Sequence, residues 1–369
     1  MKAVITGGGT GGHIYPALSI ADKLNKRGWD IEYIGCENSL EEEILMKTDY
    51  TFRSLKVLPL PRKVNFKLFK SIFFSLKAVY SSYKLLKEIN PDVVFGTGGY
   101  VTGPVLLSGY LSKIPTVIHE QNIYPGVTNK ILSYFVNKIA VSNIEASKYF
   151  SDRVQEKIIE TGNPIREKIV NVKRETGIKK LGLHKDLKTL FIMGGSQGST
   201  TINNAVIESI DKIMELNDLQ VVMITGKNNY QKVVNKIKSY INKYNDRLKV
   251  LSYLDNIEWA YAAADLIVYR AGATGLAEIT GRGLPAILVP YPYSAEGHQK
   301  ANAKFMEKEN AAVMVEDGKF NGNKLYKLLS EILYNNNKLK TMKQNSKNLA
   351  KLDADQNIVD IILDLVREE

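Results

Sequence analysis

Twice in this chain an apolar strand runs straight into a glycine loop and then into a helix. KAVIT at 2–6 is followed by GGGTGG at 7–12, and TLFIM at 189–193 by GGSQG at 194–198 with a helix from about 201. Such an opening is the first half of a βαβ unit, so a chain that makes it twice starts a second domain midway. Further short apolar strands are expected at 31–34, 92–95, 116–118 and 138–141, then at 221–225, 249–251, 266–269, 286–289 and 312–315. They alternate with helical patterns, which suits parallel sheets covered on both faces. The expected fold class is α/β with two Rossmann-like, doubly wound domains at 1–163 and 164–344, joined near Asn163-Pro164, and a polar-faced helical segment closing the chain to 369.

The stretch from Asp265 to Asn302 carries the strongest site chemistry. A strand at 266–269 turns through Arg270, Ala271 and Gly272 into a helix, whose first N–H groups and dipole favour a phosphate or diphosphate at Ala273, Thr274, Gly275 and Leu276. Glu278, one turn further in, is placed to accept hydrogen bonds from ribose hydroxyls, unless it is a solvated helix carboxylate. After the next strand, His298-Gln299-Lys300-Ala301-Asn302 begins another helix, so both helix starts lie beyond strand carboxyl ends, where open α/β sheets bind ligands.

In the first half, GGGTGG formally fits the dinucleotide fingerprint. The acidic residue needed at the end of the second strand is missing, however, because Ile34 is followed by Gly35-Cys36. His13 follows this loop and reads as a catalytic group or a histidine at a helix start. GTGGYVTGP at 96–104 and HEQN at 119–122 follow two further strands. Three turns of one sheet edge thus carry glycine or polar chemistry. Asp353-Ala354-Asp355 matches a metal-binding D-x-D pattern but lies away from any strand end, and reads as solvated.

Composition removes several classes. Cys36 is the only cysteine, and the four histidines have no metal-ligand spacing. The net charge of +11 is spread over both halves with no nucleic-acid-binding motif. Neither a signal peptide nor a membrane span is expected, and a reducing cytoplasm fits best.

The ordered set GGGTGGH, GTGGYVTGP, HEQN, TGNPIR, GGSQG, RAGA with the following AE, and HQKANA resembles the MurG family, N-acetylglucosaminyltransferases that convert lipid I to lipid II in peptidoglycan synthesis. The resemblance implies a GT-B fold, two domains facing a cleft, with the final helix (about 345–369) packing back on the first. It also implies UDP-N-acetylglucosamine as donor, a polyprenyl-diphosphate-linked acceptor, and no metal or cofactor. Carried over by motif, donor contacts fall on Thr10, Gly11, Gly12, Asn122, Arg166, Ser196, Leu254, Ala273, Thr274, Gly275, Leu276, Ala277, Glu278 and Gln299, with Tyr100 and Asn129 on the acceptor side. One departure stands out: Gly275 occupies the place where the family usually has threonine, so that hydroxyl contact is lost or comes from Thr274. The candidate bases are His13, Glu120 and His119. Rival readings are a diacylglycerol glycosyltransferase, a UDP-N-acetylglucosamine 2-epimerase, or a non-catalytic nucleotide-sugar-binding subunit.

The segment 62–87 has seven basic residues and no acidic one. Leu68, Ile72, Leu76, Val79, Tyr83 and Leu86 would give a core face. A second face interleaves lysines, among them Lys70 and Lys77, with Phe66, Phe69, Phe73 and Tyr80. Aromatics among lysines suit an anionic membrane surface, and peripheral attachment at the cytoplasmic face of the cell membrane is expected. The alternative is a helix packed on two sides, with lysine stems over its rim.

Overall fold

The computed structural model describes residues 1–57, 66–195 and 197–367, the side chains of 66–73 and 75 excepted. The chain forms two compact units, Met1–Pro164 with Lys351–Glu369, and Ile165–Ala350.

The first unit is built on a parallel sheet of β1 (Lys2–Thr6), β2 (Asp30–Cys36), β3 (Thr51–Leu55), β4 (Val93–Gly96), β5 (Thr116–Glu120), β6 (Lys138–Val141) and β7 (Ile158–Glu160), in the order β3-β2-β1-β4-β5-β6-β7. The second is built on β8 (Lys188–Met193), β9 (Leu219–Ile224), β10 (Leu248–Leu251), β11 (Leu266–Tyr269), β12 (Ala286–Leu288) and β13 (Ala312–Met314), in the order β10-β9-β8-β11-β12-β13. In both sheets the order reverses beside the first strand, between β1 and β4 and between β8 and β11. Crevices at such points receive the loops that leave the strand ends.

The central strands are buried on both faces, which is why they read as continuous apolar runs: Ala3, Val4 and Ile5 are inaccessible, as are Leu190, Phe191 and Ile192. The strands β3 and β7 were not expected. Both are sheet edges, and in TFRSL only Leu55 is buried, so neither carries a parallel-strand signature.

The helix Ala354–Arg367 belongs to the first unit, where Ile358, Val359 and Ile362 join the core built by helix Gly11–Asn25. Asp355 is not the solvated carboxylate expected: it pairs with Lys23 at 2.9 Å, tying these two helices. Asp353 is exposed.

Helix Phe66–Ile89 turns part of the expected stripe inward, with Leu86 buried and Val79 and Tyr83 half-buried, while the side chains of Leu68 and Ile72 lie outside the described residues and Leu76 faces out. Leu76 is 66% exposed, and the inward stripe runs through Ala78, Ser82, Leu86 and Ile89. The small residues let helix Thr102–Leu111 approach closely, and Ser108 Oγ donates to the Val79 carbonyl at 2.8 Å. Leu76, two residues from Ala78, is thereby turned away.

The glycine loops at the first crevice pack backbone to backbone. Gly8 N–H donates to the Gly98 carbonyl at 3.2 Å, and Gly99 sits at φ +89° with the Gly8 backbone where a Cβ would be. Gly99→Ala should therefore combine left-handed strain with a backbone clash, costing about 2 kcal/mol or more. For a domain of this size that is a fall of roughly 4–8 °C in the unfolding midpoint. A variant melting with the parent would show that the two loops are free to separate.

Candidate functional site

In the first unit the site is assembled from the ends of β1, β4 and β5. Helix Gly11–Asn25 starts after Thr10, whose side chain makes no capping bond, with Gly11 and Gly12 at its first positions. Tyr33 Oη donates to the Gly7 carbonyl from beneath. Glu41, fully buried, accepts from Gly9 N–H and Cys36 N–H, both at 3.2 Å. A carboxylate thus occupies the inner side of the loop, which disfavours a nucleotide phosphate there and disposes of the dinucleotide reading. Tyr100 packs its ring over Gly9, and burial, with Cys36 and Glu41 close by, pushes its hydroxyl up to about 12.

The three candidate bases separate sharply. Glu120 is 1% exposed and fully engaged: Oε1 accepts from Asn122 N–H (2.9 Å) and Nδ2 (3.1 Å), and Oε2 from Gly126 N–H (3.1 Å) and Asn129 Nδ2 (2.7 Å). It shapes the loop at 120–129 and has no coordination left for a substrate proton. Asn129, buried, also bonds the His119 carbonyl.

His119 is inaccessible, with Nε2 2.9 Å from the Gly162 carbonyl. Burial holds its imidazolium down at about 4, so it is neutral at physiological pH. Both residues are therefore struts. His13 alone of the three is only half-buried. Its Nδ1 lies 2.9 Å from the Thr97 carbonyl, and Nε2 makes no hydrogen bond among the described residues.

In the second unit the helix Ala273–Gly281 starts at the crevice beside β8. Its cap, Gly272, contributes no side chain, and Thr274 Oγ1 is buried with no partner among the described residues. Gly275 and Leu276 are buried, while Ala273 and Ala277 are half-buried. Glu278 is 4% exposed, and its Oε1 accepts from Arg166 Nε (2.9 Å) and Nη2 (2.6 Å). Burial raises the Glu278 carboxyl and Arg166 opposes the shift. The alternative reading of Glu278 as a solvated helix carboxylate is excluded, since it is buried beside Tyr261 and Tyr269. Gln299 Oε1 accepts from Tyr291 N–H at 2.9 Å, and Leu254 packs on the core at the rim. Ser196 lies outside the described residues.

Three buried polar residues escaped sequence reasoning. Arg270 spans the second crevice, bonding Ser199 Oγ (2.6 Å), the Val289 and Pro290 carbonyls, and Asp317. Asn302 Nδ2 bonds the Ala271 carbonyl, fixing the turn before the helix. Gln121 lies between His13 and His119. The available signal was weak: a polar residue directly after a strand can be a strut or a ligand contact, and only the fold tells which.

A helix start with no side-chain cap and a buried acid one turn inside, on the second of two Rossmann-like units, fits a GT-B enzyme, and the comparisons with known proteins make that class a glycosyltransferase. The descriptions "Glycosyltransferase family 28 N-terminal domain" and "Glycosyltransferase family 28 C-terminal domain" match residues 3–141 and 189–358. A protein of Halothermothrix orenii is 46% identical over 370 residues, covering 100% of both chains, and one of Bacillus subtilis is 40% identical over 367 residues, covering 99% of both. Both are named UDP-N-acetylglucosamine--N-acetylmuramyl-(pentapeptide) pyrophosphoryl-undecaprenol N-acetylglucosamine transferase. The crystal structure of Acinetobacter baumannii MurG matches with a TM-score of 0.78 at 25% identity, covering 98% of this chain and 99% of that one. A UDP-GlcNAc 2-epimerase from Neisseria meningitidis shares the fold, with a TM-score of 0.69 at 14% identity over 99% of this chain and 100% of that one. The chain belongs to glycosyltransferase family 28, in its MurG branch.

The depressed His119 imidazole makes stability depend on pH. Below about 6.5 the unfolded chain binds a proton that the folded unit refuses until about 4, so this contribution is intact above 6.5 and is lost as pH falls towards 4. The slope approaches about 1.4 kcal/mol per pH unit. Hydrogen exchange at β5 should lose protection across that window, and the single-proton component should vanish in His119→Gln. An equal slope in both proteins would remove His119 as the cause.

Proposed function

We propose that the chain transfers N-acetylglucosamine from UDP-N-acetylglucosamine to the C4 hydroxyl of the muramoyl sugar of lipid I, forming lipid II with inversion at C1. The observation that carries this reading is the start of helix Ala273–Gly281. There, open N–H groups and the Thr274 hydroxyl lie one turn from the Arg166–Glu278 pair. A diphosphate takes the helix start, the ribose hydroxyls take Glu278, and Arg166 turns from Glu278 to the leaving phosphate.

In the reaction the acceptor oxygen forms its bond to C1 as the bond from C1 to the diphosphate oxygen breaks, and UDP leaves with the electron pair. The acceptor proton passes to His13 Nε2. Charge that grows on the diphosphate is met by the fixed N–H groups and Arg166. Thr10, Gly11, Gly12 and Asn122 are kept as the donor contacts that the family resemblance implies, with Tyr100 and Asn129 on the acceptor side.

Labelled UDP-N-acetylglucosamine incubated with a lipid I analogue should yield the disaccharide product. His13→Ala should lower kcat by about 100- to 10,000-fold while UDP affinity stays nearly intact. Glu278→Ala should weaken UDP binding by about 10- to 100-fold. An epimerised donor, or free UDP alone, would sink the transferase reading.

The same reading places the protein peripherally on the cytoplasmic face of an anionic membrane. Among the described residues no helix is long and apolar enough to cross one. Phe66, Phe69, Lys70 and Phe73 have side chains outside the described set, but Lys77 is exposed and Tyr80 is 59% exposed. The neighbouring helices Thr102–Leu111 and Val127–Leu132 add exposed Tyr110, Leu111 and Ile131, beside Lys113 and Lys130. Rings and aliphatic tips among lysines enter the headgroup region, each lysine adding about 1 kcal/mol near anionic lipid. Liposome sedimentation should need anionic lipid and fall with salt. It should drop in Leu76→Ser/Tyr80→Ser while turnover of a short-chain soluble acceptor persists; a variant that sediments as the parent does would exclude this face.

A further inference from the structure

His13 can act as a base only if its proton sits on Nδ1 and its lone pair on Nε2. Two ring tautomers compete in any neutral histidine, and the hydrogen bond made by one nitrogen decides which is present. The surroundings of His13 leave one solution.

Gln121 is 3% exposed. Its Nε2 lies 2.8 Å from the Thr97 carbonyl and 3.1 Å from the His119 carbonyl, neither of which can donate. The opposite amide orientation would press an oxygen against two oxygens, so the nitrogen must point there. Oε1 then faces His13 Nδ1 at 3.0 Å. Nδ1 meets two acceptors, Oε1 and the Thr97 carbonyl at 2.9 Å, so it carries the proton.

The other end of the amide is fixed in the same way. His119 Nε2 is 2.9 Å from the Gly162 carbonyl and must donate, so His119 Nδ1 is an acceptor for Gln121 Nε2 at 3.1 Å. The main chain of Gln121 is held too, its carbonyl accepting from Asn163 Nδ2 at 3.0 Å. The two histidines thus hold opposite tautomers across one amide, with the Thr97 carbonyl also engaging His13 Nδ1 and the Gly162 carbonyl engaging His119 Nε2.

We propose that Gln121 is the positioning residue of the general base, acting with the Thr97 carbonyl to hold the tautomer and ring plane of His13 so that Nε2 keeps an open lone pair. This rests on His13 being the base. It also gives the first three members of the HEQN run a task. His119 and Gln121, two apart on an extended strand end, share one face and serve His13, whereas Glu120 between them turns the other way and builds the loop.

The test uses the whole chain with ¹⁵N-labelled histidine, where only four rings contribute signals. In the parent, His13 should show a protonated Nδ1 and a bare Nε2, and His119 the reverse. In Gln121→Met the Nε2–H form of His13 should become populated, and kcat should fall about 10- to 100-fold at unchanged donor KM. A parent His13 protonated on Nε2 overturns the proposal without any variant being folded. So does Gln121→Met with tautomer and kcat unchanged, or with the tautomer lost and turnover intact. Whether His13 is the base at all is read separately, from His13→Ala.

Discussion

Everything at the two sites depends on how closely backbone can approach backbone at the carboxyl edges of the sheets. In the first unit Gly8 bonds Gly98 and leaves no room for a Cβ at Gly99. In the second, Gly198 and Gly226 meet each other's neighbours in the same way, both at positive φ. The first contact lies over the crevice between β1 and β4, whereas the second joins the loops after β8 and β9, on the side of β8 away from β11. What they leave open is the start of the helix after the loop. Parallel strands buried on both faces cannot carry polar chemistry along their length, so ligand-facing groups are confined to this edge.

Around each crevice, buried ionisable groups act as struts. Glu41 holds the first glycine loop, Glu120 gathers four N–H donors, and Arg270 bridges Ser199, two carbonyls and Asp317. A buried charge is tolerable only when hydrogen-bonded or paired, so each such residue fixes the backbone it bonds. Removing one partner would cost more than its pair contributes, because the other charge stays behind. Glu278 differs in degree. Its partner Arg166 remains 45% exposed, so that pair can be divided when a ligand supplies new partners to both.

The architecture was largely legible because it rests on signals that survive without context: apolar runs, glycine loops after strands, and their repetition. The edge strands β3 and β7 were not, since a strand buried on one side only, and short, looks like loop. Leu76 misled because helical periodicity fixes which residues share a face but not which face meets the core, and Ala78 and Ser82 decided that through the close approach of a neighbouring helix. Among the site residues, motif order singled out His13, Glu120 and His119 without separating them. Only burial and hydrogen-bond counts turn two of them into struts. Gln121 and Arg270 stayed hidden because a side-chain amide or guanidinium reveals its task through its acceptors, and those come from distant parts of the chain.

The departure at Gly275 has a cause in the strand before it. The Tyr269 ring occupies the space where a Cβ on Gly275 would stand, so the first turn of helix Ala273–Gly281 cannot carry a side chain there. Tyr269 is itself held in the core against Tyr261 and Leu276, and burial pushes its hydroxyl up to about 12, so it stays neutral and in place. The choice of a tyrosine at the end of β11 therefore moves any hydroxyl of this turn to Thr274. That hydroxyl is buried and has no partner among the described residues. An unsatisfied buried hydroxyl costs about 1–3 kcal/mol, and such a group in a native fold calls for a partner to be supplied. At the start of a helix whose cap makes no side-chain bond, an anionic oxygen is the partner that would satisfy this hydroxyl and the first N–H groups together, as the proposed diphosphate site requires.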